Sequence, residues 1–270
     1  MPRSPSEHHA MVAHVHGTPG AWAIGVSVAV FVLAAGYAGA AWRRRASGSP
    51  IPAWRAASFF AGLTSVLVAV AAPIGTGDER LLTFHMVQHL LLMTIAPPLI
   101  FLGEPVRMLW RRPIPRRPRA TATTSLAACW IPATATLIGW HVPAAFAVAL
   151  RSPTWHAVEQ ASFLVAGLLF WWPVVQPWPS RQEPRWSTVL YLFLATLPCD
   201  ALSAFLVFSD RVAYPVYLST GSGLAALGDQ QCAGALMWTC VTVAYLVAGV
   251  VVSMQLLVSP DLREPLTEVA

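Results

Sequence analysis

The chain has 270 residues, of which 56% are hydrophobic and 11% are charged. Soluble domains usually carry about 25% charged residues, so this composition excludes an ordinary soluble protein and predicts an all-α polytopic membrane bundle. The net charge of +5 comes from arginine, because the sequence contains no lysine. The arginines lie in short loops between apolar runs, which indicates membrane topology and argues against a nucleic-acid partner.

Seven apolar runs are long enough to cross a bilayer, since a spanning helix needs about 20 residues. They predict transmembrane helices at 21–42, 54–73, 81–102, 122–149, 155–176, 186–208 and 230–257. No linker divides these runs, so we expect one seven-helix membrane domain over residues 21–258. A histidine-rich arm, residues 1–20, precedes the domain, and a tail, residues 259–270, follows it.

The loops also predict an orientation, because arginine is concentrated in alternate connections. Arg43, Arg44, Arg45 and Arg55 flank the first connection, and RRPIPRRPR at 111–119 forms much of the third. The intervening loops carry single arginines. The positive-inside rule therefore predicts an N-terminus outside and a C-terminus in the cytoplasm.

The stretch HMVQHLLLM at 85–93 carries two histidines inside a predicted span. His85 and His89 are four residues apart and should share one face of the helix. With the predicted orientation, His141 in the fourth span and His156 at the start of the fifth also fall in the outer half of the membrane. Ionisable side chains in a membrane usually face the bundle interior, so the four histidines predict one shared site.

This group of side chains suits a metal ion. Imidazole is a good ligand for copper and zinc, and thioether sulfur favours Cu(I). A lone histidine more often bonds a neighbouring helix, so the prediction of His85, His89, His141 and His156 as ligands depends on the whole group. Glu159, Asp200 and Asp229 are predicted at a similar depth and would orient the imidazoles or add a ligand. Met93 continues the His85–His89 stripe one turn deeper and is a candidate additional ligand.

The N-terminal segment SEHHAMVAHVHG is a second histidine-rich region. Its metal-binding residue types are His8, His9, Met11, His14 and His16. Short histidine-rich tracts are typical of copper or zinc capture, and here the predicted topology would place the tract outside the membrane. A solvated tail without function explains the same composition equally well.

Several of these motifs together resemble one protein family. HMVQHLLLMTIAPPLIFLGEPV, which begins at residue 85, resembles the signature third helix and following loop of the CtaG-type cytochrome c oxidase assembly factors. Further motifs match this family in the same order: WHVP at 140–143, HAVEQ at 156–160, FWWPV at 170–174 and DQQCAGALMW at 229–238. The resemblance covers residues 60–258, which is most of the predicted membrane domain.

The resemblance implies a multi-pass protein of the bacterial cytoplasmic membrane, which is not an enzyme. Such proteins are implicated in forming active haem–copper oxidase, and the implied cargo is copper. Our own hypothesis is that the arm and the outer mouth of the bundle admit it as Cu(I). The implied partners are an oxidase subunit or another copper chaperone, and self-association into a homo-oligomer stays open. The site residues carried over by motif are His85, His89, His141 and His156, with Asp229 and Gln230 beside them.

Two positions depart from the family pattern. Cys232 and Ala233 stand where the last helix of the family often has a Leu-Gly pair, which leaves open whether Cys232 supplies a thiolate or only packs. Asp200 stands where the family pattern has an uncharged residue. The histidines of the N-terminal arm match no family motif.

Other functions account for parts of the same pattern. Histidines on facing helices ligate haem, and a haem-binding electron-transfer protein is therefore an alternative. An intramembrane zinc enzyme would use Glu159 or Asp229 as its general base, but HExxH is absent because Gln88 stands between His85 and His89. A receptor or scaffold remains a further alternative. A light-driven retinal protein is excluded, since it needs a lysine.

Overall fold

The computed structural model describes residues 20–71, 81–109, 126–176, 186–220 and 223–258. Every regular element in these ranges is a helix, which confirms the all-α prediction. Six of the described helices are long and apolar enough to cross a membrane, and a bent helix pair raises the count to as many as 7. The architecture is therefore that of a multi-pass membrane bundle.

The helices are numbered here in chain order. They are α1 (Ala21–Ala46), α2 (Ala53–Ala71), α3 (Leu82–Leu102), α4 (Pro105–Leu109), α5 (Leu126–His141), α6 (Pro143–Arg151), α7 (Pro153–Val175), α8 (Trp186–Phe208) and α9 (Gly223–Val258), with a 3-10 turn at Pro215–Thr220. Five of the seven predicted spans agree with these bounds to within four residues. The other two differ for identifiable reasons.

The predicted fourth span, residues 122–149, is wrong as a single continuous helix. The chain bends by 77° between α5 and α6. Pro143 begins α6, and Val142 before it has extended backbone angles. A proline disfavours helical geometry in the residue before it, because its ring collides with that residue's backbone. His141 is therefore the last residue of α5, and its side chain lies at the corner of a broken span.

The predicted seventh span, residues 230–257, begins too late. Helix α9 starts at Gly223 and runs for 36 residues. At 1.5 Å per residue it is about 54 Å long, which exceeds the roughly 30 Å thickness of a hydrocarbon core. Asp229 and Gln230 therefore lie about two turns inside the helix rather than at its start.

Helix α3 is the central helix of the bundle. In its most apolar stretch 56% of the residues are buried, against 17% in that of α1. It packs against α2, α7 and α9. The middle of α3 widens into a π-helical segment at Leu91–Ile95. Pro97 and Pro98 follow directly and cannot donate backbone hydrogen bonds, so the regular ladder is interrupted at this point. Such π segments are frequent at functional sites.

One end of the bundle contains several arginine contacts. Arg44 at the end of α1 donates a hydrogen bond to the backbone carbonyl of Arg107 in α4, and Arg55 at the start of α2 pairs with Glu104 between α3 and α4. These arginines lie at the end of α3 that is opposite to its histidines. The arginine-rich loop at 111–119 and the N-terminal arm lie outside the described residues, and the orientation of the chain stays a prediction.

Candidate metal centre

His85 and His89 lie in the first turns of α3 and point into the bundle. Their exposed fractions are 0% and 5%. The four-residue spacing places the rings one above the other, with ring centroids 4.4 Å apart. Both imidazoles are therefore removed from lipid, as expected for functional polar groups inside a membrane.

Glu159 of α7 joins the two histidines and is itself fully buried. Its Oε1 atom lies 3.3 Å from Nε2 of His85 and 3.4 Å from Nε2 of His89. The potential ligand atoms of these three residues all lie within 4.8 Å of one another. The sequence predicted an orienting role or an additional ligand for Glu159, and the structure places its carboxylate between the two imidazoles.

Hydrogen bonding within the described ranges does not satisfy this group. The buried atoms left without a partner are Nδ1 of His85, both ring nitrogens of His89, Nε2 of His141 and Oε2 of Glu159. Buried polar atoms are nearly always paired, because an unpaired one loses its hydration without compensation. A cation that accepts lone pairs from nitrogen and oxygen would satisfy several of these atoms together.

The charge of Glu159 gives a second argument for a cation. A carboxylate buried in a membrane bundle is stabilised only when a positive charge lies beside it. That charge is either a proton shared with His85, whose ring is hydrogen-bonded to Glu159, or a bound metal ion. A monovalent cation between neutral imidazoles and Glu159 would leave the buried group electrically neutral.

His141 lies at the corner between α5 and α6 and approaches the group from another side. Its ring centroid is 6.3 Å from that of His89. Nδ1 donates a hydrogen bond to the carbonyl oxygen of Leu137 at 2.7 Å. In the neutral ring, this bond leaves Nε2 with the lone pair, which is the tautomer a metal needs.

The backbone at this corner is held by Tyr214, whose hydroxyl donates to the carbonyl oxygen of His141 at 3.0 Å. Burial raises the pKa of the Tyr214 hydroxyl, and the nearby charge of Glu159 raises it further. Tyr214 therefore remains protonated and keeps donating. The loop between α8 and α9 thus fixes the position of a predicted ligand on α5.

His156 lies at the edge of the group rather than within the three-residue cluster. Its ring stacks on that of His85 with centroids 5.6 Å apart, and its Nε2 is hydrogen-bonded to Gln160. Gln160 also contacts Gln88 of α3 and accepts a hydrogen bond from the indole of Trp22 at 2.9 Å. His156 is half-buried, whereas His85 is fully buried.

The structure places Asp229 at the start of α3, away from the imidazole contacts. Its carboxylate accepts hydrogen bonds from the backbone N–H groups of Leu82 and Thr83 and from the hydroxyl of Thr83. These N–H groups have no partner within α3, because they belong to its first turn. Asp229 thus caps the helix that carries His85 and His89, and it orients that helix rather than a single ring.

Gln230 has a similar structural role next to Asp229. Its side chain accepts from the backbone of Ala213 and donates to the carbonyls of Leu206 and Arg211. It therefore fixes the loop after α8, the same loop that carries Tyr214. The DQQ motif thus holds two elements of the bundle around the histidines.

The remaining predicted residues are distributed differently. Met93 is buried on α3 one turn beyond His89, whereas Cys232 is exposed on α9. Asp200 is half-buried on α8, and it makes no hydrogen bond or ion pair with the part of the chain that is described. The predicted arm residues, His8, His9, Met11, His14 and His16, lie outside the described residues.

A small cavity of about 30 Å³ lies beside His89 and His141. This space is large enough for a water molecule or a single ion. Besides the two histidines, its lining includes four sulfur-containing side chains: Met86, Met93, Cys199 and Met237. The cavity is thus formed by residues from α3, α5, α7, α8 and α9 together.

Sequence reasoning missed the aromatic walls of the site. Phe163 stacks on His89 with ring centroids 3.9 Å apart, and Phe146 packs against His85 at 4.8 Å. Phe163 is four residues after Glu159, and this spacing predicts that both side chains lie on the same face of the helix and reach the same site. Phe146 is on α6 and reaches His85 only because α5 and α6 are bent.

Comparison with known proteins adds the family. Uncharacterized proteins of Mycobacterium bovis and Mycobacterium tuberculosis are each 24% identical to the chain over 237 residues, and one of Mycobacterium leprae is 22% identical over 236. These matches cover 79% of the chain but 36% of each relative, so the chain spans about a third of their length. No solved structure matches. The family described as "cytochrome c oxidase caa3 assembly factor" matches residues 35–259, and the chain belongs to this family.

Proposed function

We propose that this protein is a membrane-embedded copper-handling assembly factor. Its cargo is Cu(I), which the buried histidine cluster holds before a haem–copper cytochrome c oxidase receives it. The receiving partner is an oxidase subunit or another copper chaperone. The role is binding and transfer of an ion, without catalysis, in the bacterial cytoplasmic membrane.

One observation carries the proposal: His85, His89 and Glu159 converge inside the bundle, with buried donor atoms that hydrogen bonding leaves unsatisfied. Imidazole nitrogen suits copper, and the carboxylate balances the charge of a monovalent ion. His141 has a free Nε2 next to this cluster. His156, which is half-buried at the edge, is positioned to pass an ion between the end of the bundle and His85.

The predicted topology assigns the site to one side of the membrane. If the N-terminus is outside, the cluster lies in the outer half of the membrane, close to the side on which an oxidase copper centre is assembled. The N-terminal arm, with its histidines, would then deliver copper to the same end of the bundle. The outer position of the cluster and the delivery role of the arm are both part of the proposal.

Haem binding is less compatible with the geometry. Pockets for ligands of that size are usually at least 300 Å³, whereas the cavity beside His89 and His141 is about 30 Å³. Phe163 and Phe146 also close the space around the imidazoles. A strong Soret band in the purified protein would contradict copper handling and favour haem.

Zinc deserves a separate comparison, because two histidines and one glutamate are the ligand set of several zinc hydrolases. A hydrolase also needs a general base. Asp229 is engaged by the start of α3, and Glu159 is itself in the donor set. The geometry therefore supports metal holding better than zinc catalysis.

The test combines metal content with oxidase assembly. Full-length protein in detergent is loaded with Cu(I) without oxygen, and bound copper is measured by elemental analysis. We expect the double variant His85→Ala/His89→Ala and the variant Glu159→Gln to lose most of the bound copper. The same variants should reduce oxidase activity in cells that depend on this protein.

The matched control is Gln88→Ala, which removes a buried polar side chain between the two histidines without removing a donor of the cluster. It should retain copper. If the histidine variants keep the copper content and the oxidase activity of the wild type, the proposed function is wrong.

A further inference from the structure

The small cavity beside His89 has an unusual lining for a purely structural void. Four of its lining residues carry sulfur, namely Met86, Met93, Met237 and Cys199, and all four side chains are at most 9% exposed. His89 and His141 line it as well, and each has a buried ring nitrogen without a partner.

The chemistry of this lining selects for a soft ion. Thioether sulfur binds Cu(I) well and binds zinc, magnesium or calcium poorly. Leucine or isoleucine would fill the same space as methionine, so packing explains the volume of these side chains. Packing does not explain why two imidazoles with unpaired ring nitrogens border the same cavity as three methionines and one cysteine.

We propose that this cavity is a second Cu(I) site, dominated by sulfur and distinct from the His85–Glu159 pair. The inference rests on the proposed function and extends it, because the two sites share His89. They form successive positions along α3, where His89 and Met93 are separated by four residues, or about 6 Å of helix. The π-helical segment begins between them, at Leu91.

Transfer between the two positions is a ligand exchange. Cu(I) leaves the Glu159 oxygen and the His85 nitrogen, remains bound to His89, and gains thioether sulfur. No electron moves, and the copper stays in the +1 state. The thioethers are neutral, so the positive charge leaves Glu159 together with the copper. One proton from water replaces that charge, and His85 and Glu159 then share the hydrogen bond that they make without the ion.

The experiment uses the full chain in detergent and anaerobic Cu(I) buffered by a competing chelator. Copper stoichiometry and X-ray absorption, which separates sulfur from nitrogen ligands, are measured together. For the wild type we expect sulfur scattering and a second equivalent of copper. The double variant Met86→Leu/Met237→Leu keeps only Met93 and Cys199 as sulfur ligands, so it should reduce the sulfur signal clearly and weaken binding of that equivalent by about tenfold or more.

Met254→Leu is the matched control, because Met254 is on α9 like Met237 but is 60% exposed. It should bind copper like the wild type. Leucine conserves most of the volume of methionine, so the variants are expected to fold. If the double variant is unstable, the single variant Met237→Leu gives the same test with Ag(I) as a soft probe.

The outcomes separate this inference from the proposed function. Wild-type protein that binds copper only through nitrogen and oxygen overturns the sulfur site and leaves the histidine site intact. A sulfur signal that persists unchanged in Met86→Leu/Met237→Leu also overturns it. A sulfur signal that falls there, while His85→Ala/His89→Ala leaves oxidase assembly intact, supports the sulfur site and refutes the proposed delivery function.

Discussion

Trp171 of α7 donates its indole N–H to the backbone carbonyl oxygen of Met93 in α3, at 3.1 Å. In a regular helix this carbonyl would accept from the residue four positions later, which is Pro97 and has no N–H. The side chain of α7 thus replaces the bond that the proline removes. This contact links the FWWPV motif to the interrupted helix that carries the histidines.

The first prediction concerns this contact. Trp171→Phe should destabilise the protein by about 1 kcal/mol, because the carbonyl of Met93 would stay unpaired in the membrane interior. The melting temperature in detergent and the affinity for Cu(I) should both fall. Trp172→Phe is the control, since Trp172 packs its ring against Phe101. Equal effects of the two substitutions would refute the special role of Trp171.

The second prediction concerns the close approach of α7 to α3. A Cβ at Gly167 would stand 2.7 Å from the carbonyl oxygen of Met93 and 2.8 Å from Cγ of Pro97. Gly167→Ala should therefore force the helices apart and cost about 1–3 kcal/mol. At Gly139 of α5 an added Cβ meets nothing within 4 Å, so Gly139→Ala should leave the protein as stable or more stable. Thermal unfolding of both variants compares them directly.

The third prediction concerns the cap of α3. Asp229→Ala removes the acceptor for the first N–H groups of the helix and should cost about 1 kcal/mol. Asp229→Asn keeps one oxygen acceptor and loses the favourable charge at the helix start, so its cost should be smaller. If Asp229 were instead a metal ligand, both variants would lose copper to a similar extent without a matching loss of stability. Copper titration and thermal unfolding together distinguish these roles.

The fourth prediction concerns the opposite end of α3. Glu104 accepts from Arg55 at 2.6 Å and from Arg107 at 3.0 Å, and its side chain is 8% exposed. Glu104→Gln should destabilise the protein by about 2 kcal/mol, because Arg55 would lose its charged partner in a largely buried position. Arg107→Gln should cost less than about 1 kcal/mol, because the Arg107 side chain is 45% exposed. Copper binding should be unchanged in both variants, since the pair is remote from the histidines.

The hydropathy of the sequence predicted most of the fold. Long apolar runs can cross a membrane only as helices, so five of the seven spans were predicted to within four residues. The i and i+4 spacing likewise predicted that His85 and His89 share a face. Both predictions depend on local periodicity, which the order of residues determines directly.

The tertiary structure decided which side chains meet. Glu159 lies between the histidines because α7 packs against α3 at Gly167, and Phe146 reaches His85 because the chain bends by 77° after His141.

Cys199 lines the sulfur cavity, whereas the predicted Cys232 is exposed. Asp229 and Gln230 hold the backbone of other elements instead of an imidazole. Such contacts depend on the rotation and tilt of each helix, which are set by packing between residues far apart in the chain, and a single helix does not encode them.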